Sequence, residues 1–204
     1  MKQKYKWLYE RVKNINMHPA EEWEVIKSEP LHAGWHFHNF VFPFLLAIFI
    51  TTFVGTFFAI YHDFSLLYII VKSFSIVFNC FLTLYVSTKL IEAISIKIHI
   101  NVSIGLLYKA ILYSMSAWWA FCTAAGILEN YATLSSFLLF MGIIGIYPFW
   151  LACSTLLNIA EKDKPKFVAI SFLVILIVTK LISWSFGFIL QSLKIISAAT
   201  VINN

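Results

Sequence analysis

Residues 167–190 read FVAISFLVILIVTKLISWSFGFIL, an apolar run in which Lys180 is the only charged side chain. An α-helix rises about 1.5 Å per residue, and the hydrocarbon core of a bilayer is about 30 Å thick. A run of this length and composition therefore predicts one membrane-spanning helix.

Four further runs of the same kind precede it, near residues 40–61, 65–88, 105–128 and 132–157. None of them alternates polar and apolar residues with period two, as a membrane strand would. Across the chain 60% of residues are apolar and 12% are charged, whereas soluble domains carry about 25% charged residues. The sequence predicts an all-α integral membrane bundle of five transmembrane helices, preceded by short amphipathic interfacial helices.

The distribution of Lys and Arg predicts the orientation of the bundle. Twelve of these fifteen residues lie in the N-terminal segment or in and beside the connections that follow spans 2 and 4. The predicted outer loops, at 61–64 and around 129–131, contain none, and the C-terminal tail contains only Lys194. Because positively charged loops stay in the cytoplasm, we expect a cytoplasmic N-terminus and an outer C-terminus. The predicted parts are a cytoplasmic segment at 1–38, a membrane domain at 39–192 and an outer tail at 193–204.

The N-terminal segment has the pattern of an amphipathic helix. Tyr5, Leu8, Val12 and Ile15 recur at helical spacing, and the charged residues lie mainly on the other faces. Such a helix is expected to lie among the lipid headgroups, attracted to anionic lipid.

A second short helix is predicted to begin at Pro19, because proline is well tolerated at the first position of a helix. Trp23 and Ile26 would face inward, and Pro30 would end the helix. Both helices could serve only to anchor and orient the bundle.

Histidines just before the first span are weak candidates for a metal site. His32 and His36 lie one helical turn apart, and His18 or His38 could join them. No cysteine or acidic residue has matching spacing, and the rings also suit an interfacial belt of amphipathic side chains. We therefore expect neither a metal nor a cofactor.

Lys72 and Lys180 lie inside predicted spans, where a cation costs a few kcal/mol unless it reaches water or a partner. Each begins a polar stripe at helical spacing. The stripe of span 2 comprises Lys72, Ser75, Asn79 and Thr83, and that of span 5 comprises Lys180, Ser183, Gly187 and Gln191. One interpretation is a hydrated cavity open to the outside, with Lys72, Asn79 and Lys180 engaging an anion or a lipid phosphate. The other, which we favour, is hydrogen bonding between helices together with snorkelling of the lysines.

Two further patterns concern helix packing. Ser116, Ala120 and Ala124 recur at four-residue intervals in span 3 and would let another helix approach closely. In span 4, Pro148 cannot donate a hydrogen bond to the carbonyl of Ile144, which predicts a kink or break.

Two stretches resemble the bacterial branch of the Yip1-domain family. They are YERVKNINMHPAEEWEVIKSEP at 9–30, which leads into the span NFVFPFLLAIFITTFVGTFF, and LLFMGIIGIYPFWLACSTLLNIAEKDKPKFV at 138–168. The matching residues are Pro19, Trp23, Ile26, Glu29, Pro43, Gly145, Tyr147, Lys164 and Lys166. The resemblance implies five spans and a bacterial inner (plasma) membrane location, with no assigned chemistry. The Asp-Leu-Tyr-Gly-Pro motif of the eukaryotic relatives is absent, so their role in vesicle traffic is not carried over.

No catalytic motif occurs in the sequence, so we expect a protein that is not an enzyme. Arg11 is the only arginine, which argues against binding of nucleic acid. The expected function is that of an interaction or membrane-organising protein. Its expected partners are the lipid bilayer and either another membrane protein or a second copy of the chain. The alternative is a small transporter or channel that uses the polar stripes of spans 2 and 5.

Overall fold

A computed structural model describes residues 2–60, 66–128 and 131–202, and helices are the only regular structure within these ranges. The N-terminal pair consists of α1 (Lys2–Met17) and α2 (Pro19–Lys27). The first span is built from α3 (Ala33–His36), a π-helical stretch (Phe37–Val41) and α4 (Phe42–Ile60). The second span is α5 (Leu66–Lys97), and the third comprises α6 (Ile104–Ser114) and α7 (Ser116–Ile127). The fourth comprises α8 (Ala132–Met141), a 3₁₀ stretch (Gly142–Gly145) and α9 (Ile146–Thr155), and the fifth is α10 (Lys164–Ile202).

The five predicted spans are confirmed as helices long and apolar enough to cross a membrane. The protein is therefore an all-α, multi-pass membrane bundle. The second span is longer than predicted, because α5 continues past residue 88 to Lys97 with Ile91 and Ser95 buried against the rest of the protein. In the predicted C-terminal tail, the backbone remains helical to Ile202. The predicted outer loop at 61–64 lies outside the described residues, as do Glu129 and Asn130 of the other outer loop.

The break predicted at Pro148 is confirmed, because the 3₁₀ stretch Gly142–Gly145 separates α8 from α9 just before this proline. A second break, which the sequence did not predict, divides span 3 at Met115. The two breaks meet: a methyl group added to Gly145 would overlap the backbone carbonyl of Ser114. Only glycine, which has no Cβ atom, permits the two backbones to approach this closely.

The core lies between the N-terminal pair and the first and third spans. Its largest fully buried side chains include Trp23, Phe40, Tyr113 and Trp119, which come from four different elements. Around this core α4 packs on α5 and α7, α8 packs on α7, and α10 packs on α5 and α9.

A close contact between α4 and α7 joins two glycines. A Cβ atom on Gly55 would overlap the carbonyl oxygen of Gly126, and one on Gly126 would lie 2.9 Å from the backbone nitrogen of Thr52. This approach of α4 lies at Gly126, two residues beyond the stripe of Ser116, Ala120 and Ala124 that the sequence singled out.

Candidate functional site

Arg11 is the centre of a buried polar cluster that joins the N-terminal pair to the bundle. Its Nη1 donates to Oε1 of Glu22, and its Nη2 donates to Oε1 of Glu29 over 2.6 Å. The Arg11 side chain is only 8% exposed, and its guanidinium carbon lies 5.4 Å from the ring centroid of Trp7. One guanidinium thus ties α1 to α2 and to the segment after α2.

Glu29 links this cation to the third span. The hydroxyl of Tyr113 donates to Oε2 of Glu29 over 2.6 Å. His36 lies beside Tyr113, and its Nε2 is 2.7 Å from the carbonyl oxygen of Pro30. Because a carbonyl oxygen only accepts, that ring nitrogen carries the proton.

Lys109 completes the buried polar cluster from α6. Its side chain is fully buried, and Nζ donates to the carbonyl oxygens of Ile26 (3.0 Å) and Glu29 (2.6 Å). Carbonyls at the end of a helix lack partners within the helix and carry partial negative charge. Lys109 therefore caps the C-terminal end of α2 from a neighbouring span.

The buried polar cluster balances its charges, with Arg11 and Lys109 facing Glu22 and Glu29. Burial raises the pKa of Glu29 above its ordinary value, against the opposing effects of the Tyr113 hydrogen bond and of the two cations. A buried charge is tolerated only when it is paired and hydrogen-bonded. Here Arg11, Glu22 and Glu29 are paired and hydrogen-bonded, and Lys109 is hydrogen-bonded to two carbonyl oxygens. The cluster is therefore suited to holding a fixed geometry.

The apolar face predicted for α1 is turned toward the bundle. Beside it, Trp23 of α2, which was predicted to face inward, is fully buried, and its indole donates to the carbonyl of Pro148 over 2.9 Å. In α1 itself, Ile15 is fully buried, and Leu8 and Val12 are half-buried against the core. These contacts correct the expectation that this face lies among lipid headgroups, because the protein itself covers it. Tyr5, expected on the same face, is 57% exposed.

A different face of α1 is therefore left outside, and we call it the outer face of α1. It consists of Tyr5, Lys6, Tyr9, Glu10, Lys13 and Met17, all of them exposed. Lys6 and Glu10 form an exposed pair 3.8 Å apart.

The histidines are separated. His36 belongs to the buried polar cluster, whereas His32 is exposed. Among the described residues, no group of three or more His, Cys, Asp or Glu side chains is placed to hold a metal ion.

The two polar stripes meet where α5 packs on α10. Asn79 donates from Nδ2 to Oγ of Ser183 (2.7 Å) and to the carbonyl oxygen of Thr179 (3.3 Å), and Thr83 donates to Oδ1 of Asn79 (3.2 Å). These bonds join spans 2 and 5, as in the interpretation that we favoured from the sequence. Lys180 is exposed on α10, in a shallow depression beside Trp184.

A cavity of about 270 Å³ lies next to these hydrogen bonds, between α4, α5, α7, α8 and α10. Its described polar lining comprises Thr52, Ser75, Asn79, Cys80, Cys122, Ser135, Thr179 and Ser183. Its apolar lining comprises Ile76, Trp118, Ala125, Leu139, Phe186 and Leu190, with Gly126 at one wall. Neither Lys72, which is half-buried, nor Lys180 belongs to this described lining. The lysines and Asn79 therefore do not form one cationic site.

The buried polar cluster escapes prediction from the sequence because each of its members also fits a local role. Arg11 and Lys109 match the excess of positive charge on the predicted cytoplasmic side, and Glu22 suits the start of a helix. The signal that could have revealed the cluster is Lys109 itself, a cation within the apolar span Ile104–Ile127.

No protein-family model matches this chain, and neither a curated protein nor a solved structure matches it.

Proposed function

We propose that this chain is a non-enzymatic interaction or membrane-organising protein of Yip1 type in a bacterial inner membrane, with its N-terminus in the cytoplasm. The observation that supports this most directly is the buried polar cluster. By joining Arg11 to Glu22 and Glu29, it holds α1 in one position on the bundle. A helix held in this way can present one face to a partner with little loss of conformational entropy on binding.

The outer face of α1 has the composition of a contact surface. Tyr5 and Tyr9 are 57% and 68% exposed, and Lys6 and Lys13 lie beside them. Tyrosine is enriched in protein interfaces and in the interfacial zone of membranes because it has an apolar body and a polar tip. We propose that this face contacts the cytoplasmic part of another membrane protein or of a second copy of the chain.

Site-specific photo-crosslinking in cells tests the proposal. A benzophenone amino acid replaces Tyr9 on the outer face of α1, and in the control it replaces Phe188, which is 56% exposed on the fifth span. We expect a discrete protein adduct from position 9 and only lipid adducts from position 188. If position 9 gives the same adducts as position 188, the outer face of α1 has no protein partner and the proposal fails.

The alternative, a small transporter or channel, has one observation in its favour, namely the cavity beside Asn79. The polar groups of the two stripes, however, mostly bond to each other or to their own helices. A solute pathway would require water at this depth. A membrane-impermeant thiol reagent tests for water, because Cys80 and Cys122 already line the cavity and Cys153 can be replaced. Rapid labelling of Cys80 and Cys122 in intact cells would favour the transporter, and protection would favour the interaction protein.

A further inference from the structure

The cavity between α8 and α10 has walls that offer hydrogen-bond acceptors without charge. The hydroxyl of Ser75 donates to the carbonyl of Val71, which leaves its oxygen lone pairs free to accept. The hydroxyl of Thr179 donates to the carbonyl of Ile175, and its oxygen lies 3.4 Å from the hydroxyl oxygen of Thr83, which leaves it one further lone pair to accept. Oδ1 of Asn79 accepts one hydrogen bond, from Thr83, and can accept a second. Among the described lining residues no side chain is charged.

The cavity opens at the side of the bundle. Leu139 of α8 and Ser183 of α10 line it and are both exposed, whereas Thr52 and Cys80 on the opposite wall are buried. α8 packs on α7 while α10 packs on α5 and α9, so the two helices flank the opening from different parts of the bundle. Because the sides of membrane helices face lipid, the molecules that meet this opening are those dissolved in the bilayer.

The chemistry of the walls restricts the occupant. An anionic or zwitterionic headgroup would lose its hydration without meeting an opposite charge, which is unfavourable in a low-dielectric site. A purely apolar chain would leave the Ser75 oxygen without a donor and the second acceptor positions of Asn79 and Thr179 unused. An uncharged lipid that carries a hydroxyl group satisfies both conditions, since its hydroxyl can donate to these acceptors and its chain can lie against the apolar lining.

We propose that this cavity is a binding site for an uncharged, hydroxyl-bearing lipid that enters sideways between α8 and α10. The hydroxyl lies beside Ser75 and Asn79 of α5, and the chain leaves past Leu139 of α8. The proposal is independent of the outer face of α1, so either one can fail without the other.

The test uses two photoactivatable lipids with the same diazirine-bearing acyl chains, diacylglycerol and phosphatidic acid, on the full chain in lipid nanodiscs. The blocking variant is Leu139→Trp, which places a larger side chain at the opening. The matched control is Phe140→Trp, on the adjacent residue, which is 65% exposed and not among the described lining residues. Mass spectrometry locates the adducts on peptides of α8 and α10.

We expect the diacylglycerol probe to label peptides that line the cavity in the wild type and in Phe140→Trp, and to lose that labelling in Leu139→Trp. The variant Ser75→Ala removes one acceptor whose own hydrogen bond stays within α5. It should weaken competition by unlabelled diacylglycerol by about fivefold, the effect of one hydrogen bond.

Three results would overturn the proposal. The first is equal labelling of the wild type and Leu139→Trp, which would place the probe on the general lipid-facing surface. The second is preferential labelling by phosphatidic acid. The third is a disulfide between two copies of a Ser183→Cys variant, which would assign the opening to a second copy of the chain.

Discussion

Arg11→Met tests whether the buried polar cluster holds the N-terminal pair on the bundle. The methionine keeps much of the length of the side chain but leaves Glu22 and Glu29 without the cation that bonds to both. Removing one partner of a buried ion pair costs about 3–5 kcal/mol, because the remaining charge is uncompensated. The Arg11 and Glu29 side chains are 8% and 9% exposed, so solvent can screen little of that cost.

The assay is hydrogen–deuterium exchange of α1 and α2 in detergent or nanodiscs, read by mass spectrometry. When opening is fast and reversible, the exchange rate follows the opening equilibrium. A loss of about 3 kcal/mol therefore accelerates exchange of these helices by about a hundredfold, since each decade corresponds to about 1.36 kcal/mol. Exchange in α5 and α10, which pack on each other away from the cluster, should remain unchanged.

Lys6→Met is the matched control, because it removes a cation from the same helix at a position whose side chain is 76% exposed. We expect it to leave exchange nearly unchanged, since exposed ion pairs contribute little. A triple variant, Arg11→Met with Glu22→Gln and Glu29→Gln, should recover part of the protection because it removes the uncompensated charges. If α1 and α2 of Arg11→Met exchange at the same rate as in the wild type, the reasoning is refuted.

Three further outcomes follow from the same contacts. Gly55→Ala should destabilise the bundle by about 1–3 kcal/mol or prevent its assembly, because its methyl group overlaps the carbonyl of the facing glycine in α7. The measurement is the midpoint of thermal unfolding in detergent. Gly187→Ala is the control and should leave this midpoint unchanged, because a Cβ atom there meets nothing within 4 Å. Burial raises the pKa of Glu29, so the docked N-terminal pair binds more protons than the undocked one at pH values above the ordinary pKa of 4.5. Docking of the N-terminal pair on the bundle should therefore weaken as pH rises from 4.5 through the raised pKa of Glu29. Hydrogen exchange of α1 and α2, corrected for the intrinsic effect of pH on the exchange rate, measures this dependence. Glu29→Gln should make the corrected exchange rate nearly independent of pH in this range. Lys109→Met should speed exchange at the end of α2 more than at its start, because it removes the donor to the carbonyl of Ile26 in the last turn and to that of Glu29 just after the helix. Uniform acceleration would argue against a capping role.

The spans could be predicted from the sequence because each depends on local composition alone. A run of about twenty apolar residues must satisfy its backbone as a helix in lipid, whatever its neighbours are. The break before Pro148 was predictable for the same reason, since the missing N–H belongs to that residue. The break at Met115 was not, because neither proline nor glycine stands near it in the sequence, and the contact beside it joins Ser114 to Gly145 of another span.

The buried polar cluster could not be predicted from the sequence, because its members are far apart in the chain. Lys109 bonds to a carbonyl 83 residues earlier, and no local pattern identifies which helix end a buried lysine will reach. The apolar face of α1 shows the same limit. Its periodicity predicted an amphipathic helix correctly, but periodicity cannot distinguish a face that meets lipid from one that meets protein.

The buried polar cluster also bears on the orientation that we propose. Three of the twelve cations on the predicted cytoplasmic side, namely Arg11, Lys109 and Lys164, are buried in the protein and cannot meet headgroups. Arg11 and Lys109 pair with acidic groups or carbonyls inside the cluster, so they contribute little field outside the bundle. The remaining cations still outnumber Lys194, the only one predicted outside, and the outer loops still contain none. The proposed orientation therefore rests on the exposed lysines and not on the cluster. Neutralising Lys162 and Lys166, both exposed beside the fifth span, should weaken the orientation of that span, whereas Arg11→Met should undock α1 without inverting any span.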